Sequence, residues 1–154
     1  MKLTSLKRTQ SGVMLLEALI GILIFSIGIL AVVGLQAASI KNQTDAKYRA
    51  DASYFANQII GQMWADRANL ASYAHYINPA ITAAAPPSCN PNGVASGNAN
   101  VTAWTAKLAA TLPGAVATRQ QIIINAGNQV MVAVCWKAPQ DTNYHKHLAV
   151  TYIN

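Results

Sequence analysis

The chain has 154 residues, of which 53% are hydrophobic and only 10% charged, whereas soluble domains carry about 25% charged residues. That length suits one domain with at most one appended segment, which excludes a large multidomain protein. The formal net charge is +6, but Lys2, Lys7 and Arg8 supply three of the positive charges; without them, eight basic residues face five acidic ones. The remaining basic residues are scattered, which argues against a nucleic-acid partner.

The first predicted element is a long apolar segment. No residue between Glu17 and Lys41 is charged, so residues 18–40 give 23 uncharged positions, and a bilayer core needs about 20. The basic residues upstream favour a cytoplasmic N-terminus, because positive charge stays on that side of the membrane. The sequence therefore predicts a single membrane span, with the rest of the chain in the periplasm or beyond it.

Two simpler interpretations of this segment leave its carboxylate unexplained. A secretory signal has an apolar region of about 7–15 residues before its cleavage site, so this one is too long, although its end, GLQAAS, suits a signal peptidase. A plain membrane anchor has the right length. Neither explains Glu17, because a charged carboxylate in hydrocarbon costs at least about 2.5–3.5 kcal/mol. No basic residue lies between Val13 and Ile40 to offset its charge.

The stretch SGVMLLE resembles the class III signal of type IV prepilins. In that family a short basic leader ends in Gly, a dedicated peptidase cuts after it on the cytoplasmic face, and a glutamate follows five residues later. The resemblance implies a leader over residues 1–12, cleavage between Gly12 and Val13, and N-methylation of the new α-amine on Val13. It also implies that Glu17 meets the terminal amine of a neighbouring subunit and sets the register between subunits. Many major pilins have Phe where this chain has Val13.

The helical pattern continues beyond the apolar segment. Apolar residues recur at spacings of three and four, which is one face of an α-helix; they are Tyr48, Ala52, Phe55, Ile59 and Met63. We expect one helix from about Val13 to about Leu70, with a transmembrane or filament-core part over residues 13–38 and an amphipathic part over residues 39–77. Asn78-Pro79 ends this region.

A small globular head over residues 78–154 is predicted next. Residues 80–100 form a loop rich in Pro, Asn, Ser and Gly, and a short helix through Trp104 ends at Pro113-Gly114. Three strands follow, over residues 119–125, 129–137 and 148–153, and the first two are joined by a hairpin at NAGN, residues 125–128. The second run is apolar on both faces and is predicted as the central strand. The expected fold class is α+β, with the amphipathic half of the long helix packed on a small antiparallel sheet.

The downstream order also resembles a family. A long helix, a variable loop, W-x3-L-x3-L-P-G, a hairpin and V-x-V-C-W are similar to minor pilins of the PilV type. This resemblance implies a type IV pilin fold, first in the inner membrane of a Gram-negative bacterium and then in an extracellular pilus. It implies a priming complex with other minor pilins and the major pilin, presentation of a tip adhesin, and support of adhesion and twitching motility. Alternatives are a minor pseudopilin of type II secretion and a membrane-anchored periplasmic binding domain.

Two cysteines, Cys89 and Cys135, lie downstream of the apolar segment. In an oxidising compartment a disulfide between them is favoured over two separate thiols. The bond would tether the loop to the predicted central strand.

Evidence for catalytic or metal chemistry is sparse. His145 and His147 share a face if they lie on a strand, and Asp141 and His75 are the candidates to complete a metal site, but surface histidines are the favoured interpretation. No phosphate loop, HExxH or GxSxG is present, and Asp51 and Asp66 are too far apart for a paired acid–base site. We expect no enzyme activity, no cofactor and no metal. The three tryptophans, Trp64, Trp104 and Trp136, are predicted to lie in the core.

Overall fold

The computed structural model describes residues 11–77 and 87–154. Contacts divide the chain into two compact units, Met1–Gln43 and Thr44–Asn154. The first helix, α1, spans Ser11–Ala65 and contributes to both units. The basic residues of the predicted leader, Lys2, Lys7 and Arg8, lie outside the described residues.

In the first unit the described residues form a single helical stretch. Every side chain from Gly12 to Gln43 is exposed. By length and composition, part of this stretch is apolar enough to cross a membrane. A hydrophobic surface of this extent is not stable in water, so lipid or other helices must cover it.

In the second unit α1 buries the apolar face that the spacing predicted. Ala52, Ile59 and Met63 are fully buried and Phe55 nearly so, which confirms the amphipathic pattern. The α-helix ends at Ala65, five residues before the predicted end, because Asp66 leaves helical geometry (φ −119°, ψ 40°). A 3-10 helix over Arg67–Tyr73 follows. It continues the apolar face by burying Leu70.

The second helix, α2, spans Ala99–Thr111; it is the predicted short helix, and it begins two residues inside the predicted loop. Asn98 caps it, accepting a hydrogen bond from the Asn100 N–H at 2.8 Å. The helix stops before Pro113, which cannot continue it, and Gly114 turns the chain with a positive φ of 65°. The indole N–H of Trp104 donates to the backbone oxygen of Phe55 at 2.9 Å, which fixes α2 against α1.

Three antiparallel strands form one sheet in the order β1-β2-β3. They are β1 (Gln121–Ile124), β2 (Gln129–Trp136) and β3 (His145–Tyr152). The predicted central position of β2 is confirmed, and so is the hairpin, where Gly127 and Asn128 both have positive φ. β3 begins three residues earlier than expected because His145 pairs with Trp136, a register that the apolar pattern alone did not indicate.

The core lies between the second part of α1, α2 and one face of the sheet. Its largest fully buried side chains include Trp104, Tyr73, Ile59, Met63, Leu108, Leu112, Ile122 and Ile153. The structure therefore confirms the α+β class, with a long helix packed on a small antiparallel sheet as in a pilin-like fold.

Candidate functional site in the apolar helix

Glu17 is the only charged residue between Gly12 and Ile40, and it lies in the exposed part of α1. It stands four residues after Val13, which is about 6 Å along the helix axis at 1.5 Å per residue. Among residues 11–77 and 87–154 the single ion pair joins His145 and Asp141, so Glu17 has no cationic partner there. A charged carboxylate in an apolar surface is energetically costly without a counter-ion.

The surface around Glu17 is uniformly apolar. The large hydrophobic side chains from Val13 to Ile40 have exposed fractions between 48% at Ile20 and 75% at Met14. The next charged residue along the chain is Lys41. Besides Glu17, the polar side chains between Val13 and Ile40 are Ser26, Gln36 and Ser39, and the Ser26 hydroxyl donates to the backbone oxygen of Ile22 at 2.7 Å. An apolar helical surface of this kind can associate with lipid or with other helices.

In the head, Cys89 and Cys135 form the predicted disulfide, which joins two residues 46 positions apart in the sequence. The alternative of two separate thiols is therefore wrong. Cys135 is fully buried on β2, and the backbone oxygen of Cys89 accepts a hydrogen bond from the Arg119 guanidinium at 2.9 Å. The loop after residue 86 is thus fastened to the sheet by one covalent bond and one charge-assisted hydrogen bond.

Gln120 is a fully buried polar residue whose role the sequence did not indicate. Its side-chain amide donates to the backbone oxygen of Cys135 at 3.0 Å, and its carbonyl accepts from the Cys135 N–H at 2.8 Å. The Gln120 side chain thereby makes the two hydrogen bonds to β2 that the backbone of a paired strand residue would make, one residue before β1 begins. A polar residue next to an apolar strand start is the only sequence signal for such a role.

His75, considered above as a metal ligand, is buried and has both ring nitrogens occupied. The Ser96 N–H donates to Nδ1 at 3.0 Å, and Nε2 lies 3.1 Å from the backbone oxygen of Ala117. Since Nδ1 accepts, Nε2 must carry the proton and donate. Burial lowers the pKa of the His75 imidazole, and the hydrogen bond to Ala117 only partly opposes that shift.

The other histidines lie on β3. The Nε2 of His145 is 2.7 Å from an Asp141 carboxylate oxygen, and its ring stacks on Trp136 with centroids 5.5 Å apart. His147 shares the face of His145, as alternation along a strand requires. Within the part of the chain that the structure describes, no three metal-ligating side chains cluster.

The tryptophan prediction is correct for two residues and wrong for one. Trp104 and Trp136 are 2% and 3% exposed, whereas Trp64 is 44% exposed. Trp64 follows the buried Met63, and one residue turns a helix by about 100°, which places Trp64 outside the apolar face.

The carboxylates of the second unit are separated from one another. Asp66 is held by Asn69 and by the Tyr73 hydroxyl, which donates to it at 3.1 Å. Burial and the facing Asp66 raise the pKa of Tyr73, and the hydrogen bond from Asn100 opposes them. Asp45 and Asp51 lie farther back on α1. No protein-family model, curated protein or solved structure matches this chain.

Proposed function

We propose that this chain is a minor pilin of the PilV type, a structural subunit that takes part in assembling a type IV pilus. The observation that carries the proposal is the exposed apolar helix with one carboxylate, Glu17, and no counter-ion for it among the described residues. A helix that only anchors a domain has no use for that charge, since it costs at least about 2.5 kcal/mol in hydrocarbon. A helix that packs in register with copies or homologues of itself can use the charge to fix that register.

Cleavage after Gly12 would create the missing cation. A peptidase acting there gives Val13 an α-ammonium group at the start of the apolar helix, and N-methylation keeps its positive charge. In a bundle of such helices, Glu17 of one subunit pairs with the amine of its neighbour. The pairing satisfies both charges only when the subunits have the correct axial offset, so it selects one register and penalises the others.

The two units divide the work of assembly. The apolar helix stays in the inner membrane before assembly and enters the filament core afterwards, because both environments cover its surface. The head, held together by its core and its disulfide, selects neighbours: other minor pilins, the major pilin and a tip adhesin. In this scheme the protein primes the pilus and thereby supports adhesion and twitching motility, and it carries out no catalysis.

Substitutions of Glu17 test the role of its charge. In cells that make pili, we expect Glu17→Ala and Glu17→Gln to leave leader cleavage intact and to lower the amount of this protein in sheared filaments. Glu17→Asp keeps the charge and should retain much of the incorporation. Immunoblots of filament and membrane fractions measure both steps. Wild-type incorporation of the Gln variant would remove the proposed role of the carboxylate.

The same helix would serve a minor pseudopilin of type II secretion. Sheared surface pili separate the two functions, because the pseudopilin is found with the secretion machinery and not in such pili. A membrane-anchored binding domain is distinguished by the chain itself, since it needs no cleavage after Gly12 and tolerates every substitution of Glu17.

A further inference from the structure

The two edges of the sheet differ. On the β1 side, Ile122 exchanges two backbone hydrogen bonds with His75, at 3.0 and 3.1 Å, so a short extended segment covers that edge. On the other side, β3 pairs with β2 along its whole length of eight residues. No strand among the described residues lies beyond β3.

The register identifies the backbone groups on the open edge. The Asn125 N–H donates to the Gln129 oxygen at 2.8 Å, and the Ile153 N–H donates to the Asn128 oxygen at 3.0 Å. Along a strand, the backbone N–H and C=O groups of successive residues point to opposite sides. The odd-numbered residues of β2 therefore bond to β1, and the odd-numbered residues of β3 bond to β2. The remaining residues of β3 direct their N–H and C=O groups outward: Lys146, Leu148, Val150 and Tyr152. No backbone hydrogen bond joins these outward groups to another described residue.

The side chains of the same residues make the open edge apolar. Leu148, Val150 and Tyr152 are 39%, 51% and 56% exposed, and they lie on the sheet face away from the core. β3 contains no proline, and its pairing with β2 has no bulge. Proteins usually protect an edge strand by proline, by a bulge or by repeated charges. In β3 Lys146 alone is charged, and its ammonium group donates one hydrogen bond to the backbone oxygen of Pro87 at 2.7 Å. A long, unprotected, apolar edge is a template for an added strand.

We propose that the open edge of β3 binds an extended segment of a different protein chain as a fourth strand, with an acidic residue opposite Lys146. The charge of the second unit argues for an acidic partner: from Thr44 to Asn154 the chain has seven Lys or Arg residues and four Asp residues. A second copy would bring like net charge to the same edge, whereas an acidic strand is attracted to it. Pairing of the backbone supplies the affinity, and alternate apolar side chains cover Leu148 and Val150.

This surface is independent of the proposed filament role. It lies entirely in the second unit and does not involve Glu17 or the leader. A failure of the Glu17 experiment therefore leaves the edge proposal intact, and the reverse holds as well.

Residue-resolved amide hydrogen exchange on the full chain in detergent micelles tests the proposal. The probe is a capped peptide of nine residues, one more than β3, with the sequence Glu-Thr-Val-Thr-Val-Thr-Val-Thr-Glu. In either strand direction it places a Glu opposite Lys146 and Val residues opposite Leu148 and Val150. The matched control peptide replaces each Glu with Lys. The acidic peptide should slow exchange of the four outward amides by about tenfold or more and leave the amides paired with β2 unchanged. The basic peptide should protect them less.

A pair of substitutions separates backbone pairing from side-chain contact. Val150→Pro removes one outward N–H and no bond to β2, a position where an edge strand tolerates proline. Val150→Pro should abolish the protection of the outward amides by the acidic peptide. Val150→Thr keeps the N–H and the branched shape, so the protection should remain. Three results would overturn the proposal: no protection of the wild-type amides, equal protection by both peptides, or outward amides already protected in a concentration-dependent way by self-association.

Discussion

At the scale of single residues, His75 shows how one buried side chain joins separate segments. Its ring connects Ser96, before α2, with Ala117, before β1, while its backbone pairs with Ile122 of β1. Only the neutral imidazole satisfies this arrangement, because protonation of Nδ1 removes the acceptor for the Ser96 N–H. Tyr76 is the titratable side chain beside His75, with the two ring centroids 4.6 Å apart. No charged group among the described residues contributes to the pKa shift of His75.

This geometry predicts a dependence of stability on pH. The folded state lowers the pKa of His75 below its ordinary value of 6.5. The neutral ring therefore contributes its full stability above that value, and the contribution is lost as the pH falls through the lowered pKa. The free energy of unfolding, measured by urea titration from about pH 7.5 to about pH 5, should fall for the wild type.

Two variants show whether His75 is the source of that dependence. His75→Gln offers a neutral donor and acceptor in the same place, and its stability should vary less over this pH range. His75→Phe loses both hydrogen bonds and should be less stable at every pH. An identical pH slope in the wild type and the Gln variant would contradict this role for His75.

At the scale of elements, α1 changes character along its length. Up to Gln43 all described side chains are exposed, and from Ala52 onward one face is buried against α2 and the sheet. The same helix thus has an exposed apolar surface in one part and a face buried in a protein core in the other. The first part is defined by the absence of charge and the second by the three- and four-residue spacing of its apolar side chains.

Substitutions on the two faces of this second part should differ sharply. Ile59 is fully buried, so Ile59→Ala should lower the free energy of unfolding by about 2–5 kcal/mol through lost burial and the cavity that remains. Tyr54 is 63% exposed on the same helix, and Tyr54→Ala should change it by about 0.5 kcal/mol or less. Thermal or urea unfolding measures both. Similar losses for the two variants would mean that α1 packs on the sheet through a different face.

Regular elements could be predicted from the sequence because their signals are local. The apolar face of α1, the end of α2 at Pro113 and the central position of β2 follow from spacing, helix-breaking residues and composition. The end of α1 could not be predicted, since it depends on Asp66 being held by Asn69 and Tyr73. The start of β3 depends on its register with β2, which is a tertiary property.

The site residues also fall into those that the sequence indicated and those whose roles depend on distant contacts. Gly12, Val13 and Glu17 were found from a short motif, because their spacing is local and unusual in an apolar segment. Cys89 and Cys135 could be paired because the chain has only two cysteines. His75 bonds to Ser96 and Ala117, and Gln120 bonds to Cys135 as well as to the nearby Val116, so both roles depend on distant partners that the immediate sequence does not indicate.

At the scale of the whole molecule, the two units impose different requirements on their surroundings. Among the described residues, the head has a closed core and no strand beyond β3, whereas the apolar helix has an exposed hydrophobic surface and no cation beside Glu17. Lipid covers such a surface but leaves Glu17 without a cation. The proposed association with another chain that presents a positive charge at the same depth would satisfy both.

The mass of the native protein, isolated from membranes or filaments, tests this role of Glu17 most directly. If a new chain end supplies the cation, the native chain lacks residues 1–12, begins at Val13 and carries a methyl group on its terminal amine. A native chain that still begins at Met1 has no ammonium group at the start of the apolar helix and would contradict the proposed pairing.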